Sequence, residues 1–226
     1  MRGMILQAAH QLLTALYHHD VQYVFVRRLD GQEQQGSLSE GEEDRDTDWL
    51  LLESSTTLQA VTEEIPMTIR FSIDSLRKKL QEGGIVILVR RPRQTGAGRT
   101  VIGYGVYQQG VFPFLRRTGK VSADLLYCHY VEVLPEYRGQ RIHAVIAKAA
   151  DAYGRRNGAK QHCSTIPAHN RPSIRGTLRA GSTVVGKVER VLILKGFLWW
   201  ETPWEEVAAA LSQGRPAQEL IKSLAL

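Results

Sequence analysis

Arg138, Gly139, Gln140 and Arg141, within VLPEYRGQRIH (Val133 to His143), have types and spacing suited to holding an anion. An apolar strand and Pro135 precede them, and an amphipathic run follows with Ile142, Val145, Ile146, Ala149 and Tyr153 on one helical face. A sharp turn from a strand into a helix leaves the first helical N–H groups unpaired, beside the positive end of the helix dipole. A diphosphate fits such a place. Gly139 lets the backbone approach it, and the two arginines add charge. A plain strand connection is the alternative, and an R-G dipeptide alone does not separate the two. The strand, proline, turn and helix around it favour the cradle.

The elements that must position this turn can be read from punctuation and periodicity. MRGMILQAAHQLLTALYHHD is apolar at Ile5, Ala8, Ala9, Leu12, Leu13 and Leu16, which predicts an N-terminal helix over 1–20, too short to span a bilayer. VQYVFVRRL, from Val21, reads as a strand, and the acidic segment 30–48 as an exposed loop. WLLLE is a short strand, and Ser72 caps a helix IDSLRKKLQ that Gly83 and Gly84 terminate. IVILVRR and TVIGYGVYQQGVF form an antiparallel hairpin over 85–112, followed after RRTGK by the strand LLYCHYVEV. Asn157 and Gly158 stop the motif helix, KQHCSTI is the next strand, and a second short helix runs from Asn170 to Gly181. Two further strands, turning at Lys195-Gly196, and a helical tail over 203–226 with a break at Gly214 complete a mixed α/β sheet.

Composition sets the setting. At 226 residues and 43% hydrophobic content the chain can build a core. Residues 1–66 carry four Lys/Arg against twelve Asp/Glu, whereas the remainder carries a net charge of +14 within a total of +6. That excess suits a phosphorylated small molecule or a nucleic acid, or is simply a solvated surface. No aromatic-basic stripe or helix-turn-helix pattern supports nucleic acid. Cys128 and Cys163 are too few for a disulfide framework, so a reducing, cytoplasmic setting is expected. Seven histidines show no metal-ligand spacing, and no metal is expected. Trp199, Trp200 and Trp204 could line an acyl or acceptor pocket or an oligomer contact, and read first as packing residues.

Val133 to His143 resembles the acyl-CoA-binding signature V-x-P-x-x-R-G-x-G-x-G/A of the GNAT (GCN5-related) N-acetyltransferases. HNRPSIRGTLRAG agrees, with Asn170, Ser173 and Gly181 spaced as in that family's later N-x-x-S/A-x-x-x-Y-x-x-x-G-F element. The resemblance implies one GNAT-like acyltransferase domain over 21–202, with a mixed central sheet splayed between strands 4 and 5 and helices on both faces. It implies a donor, acetyl-CoA or another acyl-CoA, held by Val133, Leu134, Arg138, Gly139, Gln140, Arg141, Ile142, His143, Asn170 and Ser173, with the pyrophosphate on the N–H groups of residues 139–143. The implied reaction is direct attack of an amine acceptor, a small molecule or a protein, on the thioester. An acyl carrier protein docked at Arg116, Arg117 and Lys120 is an alternative donor, and a second copy of the chain a further candidate partner. A non-catalytic module that binds acyl-CoA or a protein is the reading from another class.

Three positions depart from the family pattern. Arg141 stands where glycine is usual; a positive φ there would be costly, whereas otherwise the guanidinium could clamp phosphate. His143 replaces Gly/Ala, and Thr177 stands where many relatives carry a tyrosine acid. Loss of that acid slows an enzyme, by about 10²- to 10⁴-fold, without abolishing reaction. For the base, Glu132 is the first candidate and His129 the second. In a regular strand Asp124, Cys128 and Glu132 share one face and His129 takes the other; a bulge would change the phase.

Overall fold

A computed structural model describes residues 17–29, 47–66, 72–93, 98–113, 118–193, 198–213 and 217. The chain forms two compact units, one comprising Arg28–Phe112 and Lys120–Cys163, the other Met1–Arg27, Pro113–Gly119 and Ser164–Leu226.

The first unit carries the basic turn. Its strands are β2 (Asp48–Leu52), β3 (Ile85–Pro92), β4 (Arg99–Gln109), β7 (Leu125–Val133) and the start of β8 (Gln161–Pro167), in the order β8-β7-β4-β3-β2. The β2/β3, β3/β4 and β4/β7 ladders are antiparallel, as the hairpin reading required. Helices cover both faces, which explains why β3 is a continuous apolar run. Val86 and Leu88 face α1 (Ser55–Ala60) and α2 (Ile73–Gln81), packing with Leu58, Leu76, Leu80, Tyr104 and Val106. Ile85, Ile87 and Val89 face α3 (Ile142–Arg156), packing with Ile102, Tyr107, Leu126, Ile142, Ile146 and Ala150. Ser72 caps α2 by accepting from the Ser75 N–H at 3.2 Å. Asn157 and Gly158, with φ +80°, end α3 at the expected place.

The second unit holds β1 (Tyr17–Arg28), β9 (Thr183–Ile193) and β10 (Leu198–Glu201), paired antiparallel in the order β10-β9-β1, together with the end of β8. Its α4 (Arg171–Arg179) sets Ile174 and Leu178 against Phe25, Ile166 and Val184, and α5 (Trp204–Gln213) buries Val207 and Leu211. The short strands β5 (Val111–Pro113) and β6 (Thr118–Lys120) lie between β4 and β7 in sequence.

One expected boundary is corrected. Tyr17 to Asp20 belong to β1, not to an N-terminal helix, because they pair with Arg190 to Ile193 of β9 and the Asp20 carboxylate lies 3.8 Å from the Arg190 guanidinium. Pairing across the sheet outweighs the local helical period. The rest of that helix, the acidic loop up to residue 46, Arg116 and Arg117, the Lys195-Gly196 turn and the break at Gly214 lie outside the described residues.

α3 packs directly on the backbone of β4 because GYG, Gly103 to Gly105, presents no side chain to it. A Cβ at Gly103 would stand 2.8 Å from Ile142 Cγ2, and one at Gly105 2.6 Å from Ile146 Cγ2. Gly105→Ala should therefore push α3 off the sheet and destabilise the protein by about 1–3 kcal/mol, read as a lower urea midpoint.

Candidate functional site

β7 ends where Leu134, buried, donates its N–H to the Ile102 carbonyl at 3.0 Å. Pro135 to Tyr137 then make one 3-10 turn, with Tyr137 N–H reaching the Leu134 carbonyl at 2.9 Å and Arg138 N–H reaching that of Pro135 at 3.3 Å. Gly139 follows with φ +81° and Arg141 with φ 60°, ψ 12°, before α3 begins. The first bonds into α3 run from Ala144 and Val145 N–H to the Arg141 carbonyl, and no side chain caps the helix. Among the described residues, the N–H groups of Gly139, Gln140, Arg141 and Ile142 donate to no protein acceptor. Four donors at the positive end of a 15-residue helix make this turn the candidate anion site.

The side chains at this turn divide sharply. Ile142 is buried in the α3 core, so it offers only its N–H, whereas Arg138, Gln140, Arg141 and His143 are exposed. Arg138 folds back, donating from Nε to the Val133 carbonyl at 3.2 Å, and Gln140 Nε2 donates to the Glu136 carbonyl at 3.4 Å. Arg141 is the sole non-glycine residue with positive φ among the described residues. The turn needs the left-handed conformation in which an L side chain costs about 1–2 kcal/mol, and an arginine occupies it nonetheless.

Upstream on β7, the register decides which groups face which side. Tyr107 pairs with Cys128 and Val106 with Tyr130, leaving His129 as an extra residue. This bulge turns Glu132 onto the face of Tyr104, its direct cross-strand partner, and the Tyr104 hydroxyl donates to Glu132 Oε2 at 2.8 Å. The regular-strand phase is thereby corrected. Cys128 faces the α3 core, His129 and Glu132 share the opposite face, and Asp124 lies before the strand, its carbonyl accepting from Lys160 and Gln161 N–H. Without the extra residue Glu132 would oppose Gly103, under α3.

His129 Nε2 sits 3.1 Å from Gln108 Oε1, and its ring meets Tyr127 edge-on at 5.1 Å. Burial, and then the Lys79 cation, hold its pKa down to about 4, against an opposing pull from Glu82. Burial thus keeps the His129 ring neutral and beside Gln108, while Glu132 meets the Tyr104 hydroxyl. Burial pushes the Cys128 thiol up to about 12 and the Cys163 thiol up as well, so neither supplies a thiolate nucleophile near neutral pH. Tyr104 was not evident as a site residue from its type. The glycines flanking it were the available signal, because they mark a strand held in close approach.

In the other unit, Asn170 caps α4, its Oδ1 accepting from Ser173 N–H at 3.3 Å while its carbonyl accepts from Ile174 N–H. Thr177, half-buried, follows Ser173 by one helical turn. No group of three or more His, Cys, Asp or Glu suited to a metal ion occurs among the described residues, and no described helix is long and apolar enough to cross a membrane.

Two measurements probe this geometry. Arg141→Gly should relieve the left-handed strain and raise stability by about 1 kcal/mol, seen as a higher urea midpoint. For His129 the folded pKa of about 4 lies below the unfolded value of 6.5, so stability from the neutral ring is complete above pH 6.5 and is lost as pH falls towards 4. Between pH 7 and 4.5 the wild type should lose roughly 2 kcal/mol more stability than His129→Gln, measured by urea unfolding at each pH.

Neither a protein-family model nor a curated protein matches the sequence. Solved structures do match. A GCN5-related N-acetyltransferase-like protein from Streptococcus suis 89/1591 superposes with a TM-score of 0.52 at 11% identity, covering 82% of this chain and 66% of that one. A tandem GNAT protein from the clavulanic acid biosynthesis pathway superposes with a TM-score of 0.51 at 12% identity, covering 83% of this chain and 58% of that one. The chain thus spans less than two thirds of either structure's length. Element order, the turn into α3 and these superpositions agree: the chain has the fold of the GCN5-related N-acetyltransferases.

Proposed function

We propose that the chain is an acyl-CoA-dependent N-acyltransferase that transfers an acetyl or longer acyl group to a primary amine. The observation that carries this reading is the row of unpaired N–H groups from Gly139 to Ile142 at the start of α3, flanked by Arg138 and Arg141. A pyrophosphate carries charge and acceptors matched to that row, and exposed arginines at its rim add charge-assisted bonds. Acyl-CoA, when bound, supplies the activated acyl group. Val133 and Leu134 bring β7 to the edge of the cradle, while the assignment of Asn170 and Ser173 to the donor rests on the motif resemblance alone.

Transfer then needs a neutral amine directed at the thioester carbonyl. The amine nitrogen forms a bond to the carbonyl carbon, the C–S bond breaks, and the CoA thiolate leaves. Glu132 takes the proton that the amine gives up. Thr177 is a poor acid, so the thiolate is protonated by water, which a leaving group with a thiol pKa near ~8.5 tolerates. The high pKa of both cysteine thiols supports direct transfer over an acyl-cysteine intermediate. Thr177 also favours a second reading, a module that binds acyl-CoA without transferring its acyl group.

Acetyl-CoA, longer acyl-CoAs and an acylated carrier protein are the donors to test. At ~100 times its dissociation constant the true donor should add about 2.7 kcal/mol of stability in a thermal-shift assay, and thiol release should follow with an amine from a panel. No stabilisation by any donor would overturn the proposal, and stabilisation without thiol release would favour the binding module. Glu132→Gln should cut turnover about 10²-fold or more while leaving donor affinity unchanged; full turnover would remove Glu132 as the base.

A further inference from the structure

We propose that Tyr104 is the positioning residue for Glu132: a rigid buried phenol that fixes the direction of the carboxylate. The assignment rests on the acyltransfer reading, in which Glu132 is the base. Tyr104 is 1% exposed, and its ring is packed in the apolar cluster of Leu52, Leu76, Val86 and Leu88. Tyr130 adds a tilted ring 5.7 Å away on the same face. A ring enclosed in this way has one orientation, and its hydroxyl must therefore find a partner where it stands. That partner is Glu132 Oε2, at 2.8 Å.

The strand geometry makes the contact specific. Tyr104 and Glu132 are directly opposed across the β4/β7 ladder only because His129 is bulged out of register. Gly103 and Gly105, on either side of Tyr104, let Ile142 and Ile146 of α3 press on the opposite face of the same strand. Ile142, whose N–H is the last of the row, and the residue that aims the carboxylate thus meet at one three-residue piece of β4. A glutamate has three rotatable bonds, and a half-buried one on a sheet surface samples several directions. A short bond from a fixed hydroxyl removes most of that freedom, and reaction rates are sensitive to misplacement of this kind.

A double-mutant cycle tests the role. Acetyl-CoA and whichever amine of the panel gives turnover are used with wild type, Tyr104→Phe, Glu132→Gln and the double variant. Tyr104→Phe keeps the ring, and should lower kcat about tenfold while leaving the KM for acetyl-CoA within about twofold. In the Glu132→Gln background the same change should cost nothing further, because a positioning residue has nothing left to position. Tyr107→Phe, which removes a buried hydroxyl from the α3 side of the same strand, should leave kcat within about twofold and so controls for the loss of any buried hydroxyl. Equal losses from Tyr104→Phe in both backgrounds, or equal losses from Tyr104→Phe and Tyr107→Phe, would overturn the proposal while leaving the acyltransfer reading standing. A wild type that releases no thiol with any amine would remove the reading itself, and the role of Tyr104 with it.

Discussion

The contact between α3 and the glycines of β4 is the constraint on which this site depends. Ile142 and Ile146 sit where side chains at Gly103 and Gly105 would otherwise project. The helix is therefore held against the sheet from its first residue, and its N-terminus is fixed in place as the chain leaves β7. An anion site built from backbone N–H groups works only if those groups stay aligned, because each contributes a partial charge whose effect falls off steeply with distance. Packing over the first five residues of the helix thus stabilises donors that have no partner of their own.

The same contact explains how Arg141 is tolerated. An arginine held at φ 60° is unfavourable by an amount that a loosely packed loop would relax away. Here the buried Leu134 on one side and the buried Ile142 on the other leave the connection little latitude, so the strain is retained. In return the position carries an exposed guanidinium beside the unpaired N–H groups, where glycine would carry none. The turn keeps its left-handed geometry and carries a cation there.

A second constraint, the single extra residue at His129, governs the chemistry on the opposite face of the sheet. It separates the groups of β7 by environment. Cys128 turns into the α3 core, where burial keeps it a thiol, while His129 and Glu132 turn towards the α2 side. His129 is then wedged against Tyr127 and near Lys79, surroundings that disfavour its charged form. Glu132 instead meets a phenol donor. Two candidate bases three residues apart thereby acquire different surroundings, through packing rather than through residue type.

Much of this was legible in the chain. Apolar periodicity marked α3 and β3, Ser72 and Asn170 marked helix starts, Gly83 and Gly158 marked helix ends, and the hairpin of β3 and β4 followed from its flanking turns. All of these are local signals, carried by residues within a few positions of the structure that they specify. The R-G turn with its preceding proline likewise marked the strand-to-helix connection, whose unpaired N–H groups belong to consecutive residues. Other features depended on partners distant in sequence. Tyr17 to Asp20 joined β1 because β9 was there to pair with them, and the left-handed conformation of Arg141 became definite only between two anchored core residues. The direction of Glu132 is the clearest case. Sequence alone determined that a carboxylate precedes the basic turn; the tertiary structure alone decided which face it occupies, because one unpaired residue in a ladder inverts every side chain beyond it.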